Sequence, residues 1–455
     1  MERKRQRFNK VVLVPLPLQG HITPMLQLGT ILHSKGFSIT VIHTKFNSPD
    51  PSKYPEFSFL SIPDNLSDQV ISSGNIISLI FEINMNCQAP FLECLVRMTE
   101  QQKLYDEIAC IIYDELMYFS DTAVARMKLP SITFCTTSAA TFNARLDLLQ
   151  LKEEGYLPFQ DAALQDLVPG LHPLRFKDLP LSRFGATEDL FQLMSNLKAR
   201  KTSSALVINT VDILEKSLLL QVQQQVQGPV FPIGPLHLVA PDSSSSLLEE
   251  DGSCITWLDK QNRNSVIYVS LGSLVLVEEN EVAEMAWGLA NSKQPFLWVI
   301  RPGLVINSQR KELLPEGFQE TVGENGCIVK WAPQKEVLAH DSVGGFWTHC
   351  GWNSTMESLS QGVPMICRPS SGDQRVNARH ISHVWRVGLE VNDKLERVEI
   401  ERAVRRLMGA KEGGEMRQRA INLKEKIELC IGEGGSSYNS SSELEKLIIS
   451  FTPEC

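Results

Sequence analysis

The sequence predicts an α/β protein of two domains, each built on a parallel sheet with helices between its strands. Three observations carry this. Short β-branched runs alternate with helix-period segments, the rhythm restarts after residue 235, and a polar stretch separates the halves. At 455 residues the chain is also too long for one compact core.

In the first half the strand-like runs are Val11–Val14, Phe37–His43, Phe57–Ile62, Ala109–Tyr113, Ile132–Cys135 and Leu206–Asn209. In the second they are Val266–Ser270, Phe296–Ile300, Ile328–Trp331, Gly344–Thr348 and Met365–Cys367, with amphipathic helices such as Glu279–Ala290 and Val398–Met408 between. Gly234-Pro235 and the run PDSSSSLLEEDGS (241–253) mark the boundary, because serines and acids bury little apolar area. The division expected is a first domain over 1–235, a linker over 236–253 and a second domain over 254–430. The tail GGSSYNSSSELEKLIISF reads as a stop at Gly434-Gly435, then a last helix opened by Ser440–Ser442, with 431–455 packing back on the first domain.

Composition excludes several classes. The net charge of -9 leaves no basic stripe to neutralise nucleic-acid phosphates. The basic start MERKRQRFNK is followed by only a short apolar run, and the longest one, Val266–Val277, is interrupted by Ser270, Gly272 and Ser273. Neither a signal peptide nor a membrane span is expected, and a cytoplasmic monomer is. Ten scattered cysteines without CxxC spacing read as reduced, buried thiols. There is no GxGxxG after a strand, no GxxxxGK[ST], no HExxH, no GxSxG and no DxD, so a phosphate site here must work without an obvious metal.

The unusual residues concentrate in WAPQKEVLAHDSVGGFWTHCGWNSTMESLSQGVPMICRPSSGDQ, residues 331–374. Within it Gly351 makes a turn and Asn353 and Ser354 read as cap residues opening a helix, whose first amides form an anion site. His349 stands before that helix as a further donor, Trp331 offers a flat face to a base, Glu357 lies one turn inside, and Asp373-Gln374 supplies polar groups. Singly, each reads as a cap or a buried structural residue. Together they offer what a nucleotide-sugar needs: stacking, diol acceptance, phosphate donors and partners for sugar hydroxyls.

These residues resemble, in order and spacing, the 44-residue signature box of plant family 1 UDP-glycosyltransferases. The resemblance extends over essentially the whole chain, through QGH followed by Pro24, YVSLGS (268–273), the serine-rich linker and the GGSS tail. PLPLQGH, GFSITVIHT and WLDKQ are most similar to the plant group 76 branch. It implies a GT-B fold, two Rossmann-like domains with parallel sheets facing across a cleft. It implies that Trp331 stacks on uracil, with Ala332 and Gln334 contacting the uridine, and that Glu357 accepts from the ribose hydroxyls. By the same resemblance His349, Asn353, Ser354 and Ser273 hold the diphosphate, while Trp352, Asp373 and Gln374 touch the sugar. A final glutamine usually accompanies glucose, so UDP-glucose is the donor expected, as a co-substrate and with neither cofactor nor metal.

The resemblance also pairs His21, in PLPLQGHITP, with Asp114, in IIYDEL. An acceptor hydroxyl has a pKa far above 7 and needs a base as it attacks the anomeric carbon. A neutral imidazole at a helix N-terminus suits this, with a carboxylate to orient it. Alone, either residue reads as structural, but both fall after strands of one parallel sheet, where open α/β folds place their ligands. The reading is therefore an inverting UDP-glucosyltransferase that forms a β-glucoside on a small, largely apolar metabolite: a terpenoid, phenolic or hydroxy acid, or cytokinin. Its acceptor pocket is expected around 81–91, 117–118, 135–141 and 180–200. The rivals are a UDP-sugar-binding protein without turnover and a glycosidase, which would need two convergent carboxyl groups. Two departures from the family pattern are Ser370-Ser371, where aromatics usually precede GDQ, and Thr23, which replaces an asparagine and is expected to keep its capping capacity.

Overall fold

The computed structural model describes residues 9–452 except 101–106, 160, 182–186, 200–201, 241–245, 307–312 and 410. The basic start, much of the serine run, part of the 180–200 segment and Cys455 therefore lie outside the described residues.

Two compact units are formed, one from Met1–Pro158, Leu181–Leu247 and Leu429–Cys455, the other from Phe159–Pro180 and Leu248–Glu428. Among the described residues of the first, seven parallel strands make one sheet: β1 (Lys10–Val14), β2 (Ser38–Thr44), β3 (Ser58–Ile62), β4 (Ile108–Asp114), β5 (Ser131–Cys135), β6 (Leu206–Ile208) and β7 (Val230–Pro232), in the order β3-β2-β1-β4-β5-β6-β7. Helices cover both faces, which is why Val11–Val14 and all of β4 are buried and why these strands are continuous apolar runs rather than alternating ones. The Gln19–Ser34 helix buries Ile22, Met25, Leu26, Leu28, Ile31 and Leu32 against this sheet, a helical stripe that fixes which way His21 can face. The last helix, Ser436–Ser450, adds Leu444 and Ile448 to the same core.

The second unit repeats the plan with β8 (Val266–Ser270), β9 (Phe296–Val299), β10 (Gly326–Val329), β11 (Val343–Thr348), β12 (Met365–Cys367) and β13 (Gly388–Glu390), ordered β10-β9-β8-β11-β12-β13. In each sheet the order reverses once, between β1 and β4 and between β8 and β11. At those points successive loops diverge to opposite sides of the sheet and leave a crevice at the strands' carboxyl ends.

Several elements depart from the expected pattern. The three-residue strands β7 and β13 carry too few apolar residues to show a period. Trp331 lies beyond β10, in a loop. Residues 236–239 are not exposed linker but a helical turn whose Leu236 is wholly buried in the first core. Residues 159–180 group with the second unit because polar contacts hold them there: Arg175 donates to Glu390 at 2.9 Å, Arg379 to the Pro173 carbonyl at 2.9 Å and Arg375 to the Lys177 carbonyl at 3.1 Å. The last helix starts at Ser436 with Gly435 as its cap, ahead of the expected serines. None of the nine described cysteines forms a disulfide.

Candidate functional site

The first unit places its chemistry at the β1/β4 crossover. His21 is the third residue of the helix that follows β1, and Asp114 is the last residue of β4; His21 Nδ1 lies 2.7 Å from Asp114 Oδ2. Asp114 is fully buried, whereas the His21 side chain keeps 17% of its surface exposed. A carboxylate only accepts, so it selects the tautomer with the proton on Nδ1 and the lone pair on Nε2. Asp114 Oδ1 accepts from the Leu116 amide at 3.0 Å, which pins the carboxylate in its own turn.

Thr136 is a third member that the sequence did not single out. Its Oγ1 lies 2.9 Å from His21 Nδ1, and it directly follows β5, the strand beside β4. Next to it, Arg145 donates to Glu115 at 2.5 Å and to Thr137 Oγ1 at 2.7 Å, tying the ends of β4 and β5 together. Segments expected around an acceptor are also joined. Asn84, in the Ile76–Glu100 helix, donates to the Leu116 carbonyl and accepts from the Phe119 amide, both at 2.8 Å, and Asn196 donates to Tyr118 Oη at 3.1 Å. Thr23 is not a cap: the helix opens after Leu18 with no side-chain cap, and Thr23 Oγ1 instead accepts from Gln19 at 2.7 Å.

In the second unit the 331–374 block wraps the β8/β11 crossover. Gln334 donates to Ser354 Oγ at 2.9 Å and to Glu357 Oε2 at 2.6 Å, while Tyr268 donates to Gln334 Oε1 at 3.2 Å. Burial pushes the Glu357 carboxyl up to about 7, against the Gln334 hydrogen bond and the Lys335 charge, with Glu250 adding to the rise. Trp331 is half-buried and its carbonyl accepts from the Asp251 amide at 2.9 Å; Ala332 beside it is buried.

His349 follows β11 and has Gly272 and Gly351 on its ring. A Cβ on Gly272 would stand 2.5 Å from ring atoms Cε1 and Nε2, and one on Gly351 2.4 Å from Nε2. Its Nδ1 is buried without a hydrogen-bond partner among the described residues. Burial, then the neighbouring Arg301 guanidinium, push the imidazole down to about 4, so the ring is neutral at pH 7. Ser273 lies in the turn after β8 that includes Gly272. Cys350 takes a left-handed φ of 65°, which swings the chain from β11 into the helix Trp352–Gln361.

Asn353 and Ser354 turn out not to cap that helix. Gly351 is the cap residue, without a side-chain hydrogen bond, and both residues sit inside the first turn. The first amides are therefore left to other acceptors. Further along, Asn377 links Asp373, at 3.1 Å, to the Cys350 carbonyl, at 3.0 Å, and Gln374 Oε1 accepts from the Ser370 amide at 2.9 Å. Trp352 is buried beside Trp385, their ring centroids 6.4 Å apart. No group of three or more His, Cys, Asp or Glu poised to hold a metal occurs among the described residues.

A family model described as "UDP-glucoronosyl and UDP-glucosyl transferase" matches residues 188–419. UDP-glycosyltransferase 76E1 of Arabidopsis thaliana is 51% identical over 434 residues, 95% of each chain. Flavonol 3-O-glucosyltransferase UGT76E12 of the same plant is 50% identical over 454 residues, 98% of each. Among solved structures, Phytolacca americana UGT2, complexed with UDP-2fluoro-glucose and pterostilbene, superposes with a TM-score of 0.82 at 27% identity, over 97% of this chain and 100% of that one. A Polygonum tinctorium UDP-glucosyltransferase capable of glucosylating indoxyl, bound to 3,4-dichloroaniline, gives 0.83 at 27%, over 97% and 98%.

Proposed function

The chain belongs to the UDP-glycosyltransferase family, inverting enzymes on the GT-B fold, and from that premise we propose that it moves glucose from UDP-glucose onto a small, largely apolar metabolite. The observation that carries the reading is the 2.7 Å contact between His21 and Asp114 at a sheet crossover, which fixes the imidazole tautomer whose basic nitrogen is Nε2.

His21 Nε2 takes the acceptor's proton as its oxygen attacks the anomeric carbon. The bond from that carbon to the diphosphate oxygen breaks, UDP leaves with the electron pair, and an α-linked donor gives a β-glucoside. Asp114 holds the ring and stabilises the imidazolium that forms. In the second unit Trp331, Ala332 and Gln334 hold the uridine, and Glu357 accepts from the ribose hydroxyls. Ser273, His349, Asn353, Ser354 and the first amides of the Trp352–Gln361 helix hold the diphosphate, where they stabilise the departing charge. Trp352, Asp373 and Gln374 contact the sugar. No metal or cofactor enters this scheme.

For the acceptor, the flavonol named for one relative and the pterostilbene bound by one solved structure favour a phenolic hydroxyl over the other classes. The test incubates the purified chain with UDP-glucose or UDP-galactose and a panel of phenolic, terpenoid, hydroxy-acid and cytokinin acceptors, with EDTA present, following UDP release and product mass. A β-glucoside formed in EDTA is the result expected. Donor binding without turnover across the panel would make the chain a UDP-sugar-binding protein, and dependence on added metal would overturn the mechanism.

A further inference from the structure

Arg301 follows β9 in the run LWVIRPG and is 8% exposed. All its hydrogen bonds among the described residues go to main-chain carbonyls: Nε to Gly272 at 3.0 Å, Nη2 to Val275 at 2.6 Å and Nη1 to Pro302 at 3.2 Å. Two of those carbonyls belong to the turn after β8 that presents Ser273, so the guanidinium fork sets the shape of that turn. A lysine, with one nitrogen, could not reach all three.

The charge itself is unusual. A buried cation with no carboxylate partner among the described residues gives up hydration that carbonyl dipoles replace only in part. An anion arriving nearby would complete the arrangement. The field of Arg301 already reaches the His349 ring, which leans on Gly272 of the same turn. The basic and polar groups of this crossover therefore converge around one turn and one helix N-terminus.

We propose that Arg301 is a positioning residue for the nucleoside diphosphate, clasping the 272–275 turn and supplying the buried positive charge that the diphosphate meets. The proposal rests on the second unit being the UDP-sugar site. Arg301 acts through the turn and through its field rather than on the reacting atoms.

The experiment titrates UDP and uridine into the full-length wild type, Arg301→Gln and Arg301→Lys, at low and high salt. Arg301→Gln is expected to weaken UDP about tenfold or more while uridine changes less than about threefold, because only UDP carries the charge that the guanidinium meets. Arg301→Lys keeps the charge but loses the clasp on the turn, and its UDP-to-uridine affinity ratio is expected to fall between those of wild type and Arg301→Gln, with a salt dependence that Arg301→Gln lacks. An unchanged ratio in Arg301→Gln would overturn the proposal. Should that variant not fold, a ratio in Arg301→Lys equal to wild type's at both salt concentrations overturns it instead. Wild-type protein that bound neither ligand would sink the donor-site reading itself, a result distinct from either.

Discussion

Asp114 Oδ2 sits 2.7 Å from His21 Nδ1, so the last residue of one strand sets the proton on a helix that begins after its neighbour. Asp114→Asn replaces an acceptor-only group with an amide that can donate, and so permits the wrong tautomer. Turnover is expected to fall roughly 10²–10⁴-fold with UDP affinity nearly unchanged, and His21→Ala to lose at least ~10²-fold. Near-normal kcat in either variant, measured with saturating donor, would remove the pair from the mechanism.

On the proposed role of Glu357 in holding the ribose, its raised pKa is expected to give donor binding a pH dependence. Ribose hydroxyls donate, so they favour the ionised carboxylate; affinity for uridine is expected to climb between about pH 6 and 8 and to flatten in Glu357→Gln. The stability effect runs the other way. A carboxyl raised from 4.5 to about 7 contributes stability that is complete below 4.5 and lost as pH rises through 7. Glu357→Gln is therefore expected to melt roughly 1–3 °C above wild type at pH 8 and level with it at pH 4. Calorimetric titration and thermal melts decide both points.

Gly272 is needed for space as well as conformation: its φ is 71°, and a methyl there would stand 2.5 Å from the His349 ring. Gly272→Ala is expected to displace that ring or the turn and weaken UDP about tenfold or more, whereas Gly414→Ala, where a methyl meets open space, is expected to change nothing. Equal UDP affinity in both variants would show that the ring's seat is not part of the donor site.

Glu215 accepts from the Ala139 and Ala140 amides at 2.9 Å each and from Thr210 Oγ1 at 2.5 Å, anchoring from another element the helix that follows Thr136. Its removal in Glu215→Ala strands buried donors. A loss of about 2–4 kcal/mol is expected by denaturant unfolding, and a change below about 0.5 would contradict this anchoring role.

Gln374 holds the Ser370 amide through Oε1, and the proposed sugar contact would fall to its NH₂. Gln374→His is expected to lower the glucose-to-galactose rate ratio by about threefold or more. An unchanged ratio in paired donor assays would take Gln374 out of sugar selection.

What could be read in advance follows from which signals are local. The continuous apolar runs of β1, β4, β8 and β11 are period signals, and the order of the 331–374 block is a spacing signal; both survive in one dimension. Arg301, Thr136 and Glu215 carry no such mark, since each acts on residues supplied by separate stretches of chain. The caps assigned to Thr23, Asn353 and Ser354 failed for a related reason. Residue type suited a helix start, but Gly351 and Leu18 occupy the cap positions; Asn353 and Ser354 sit inside the first turn of their helix and Thr23 past the first turn of its own. Residues 159–180 were misplaced because arginine contacts to side chains and carbonyls, rather than apolar area, decide where they belong.

The first unit is assembled from three stretches, and the third arrives last. Leu444 and Ile448 enter a core begun by Val11 and Leu13. During synthesis on the ribosome, every residue of the second unit emerges before that helix does. The sheet whose strand β4 ends in Asp114 must therefore wait with one apolar flank uncovered while the rest of the chain is made, and a premature stop anywhere upstream of Leu444 would leave it uncovered for good.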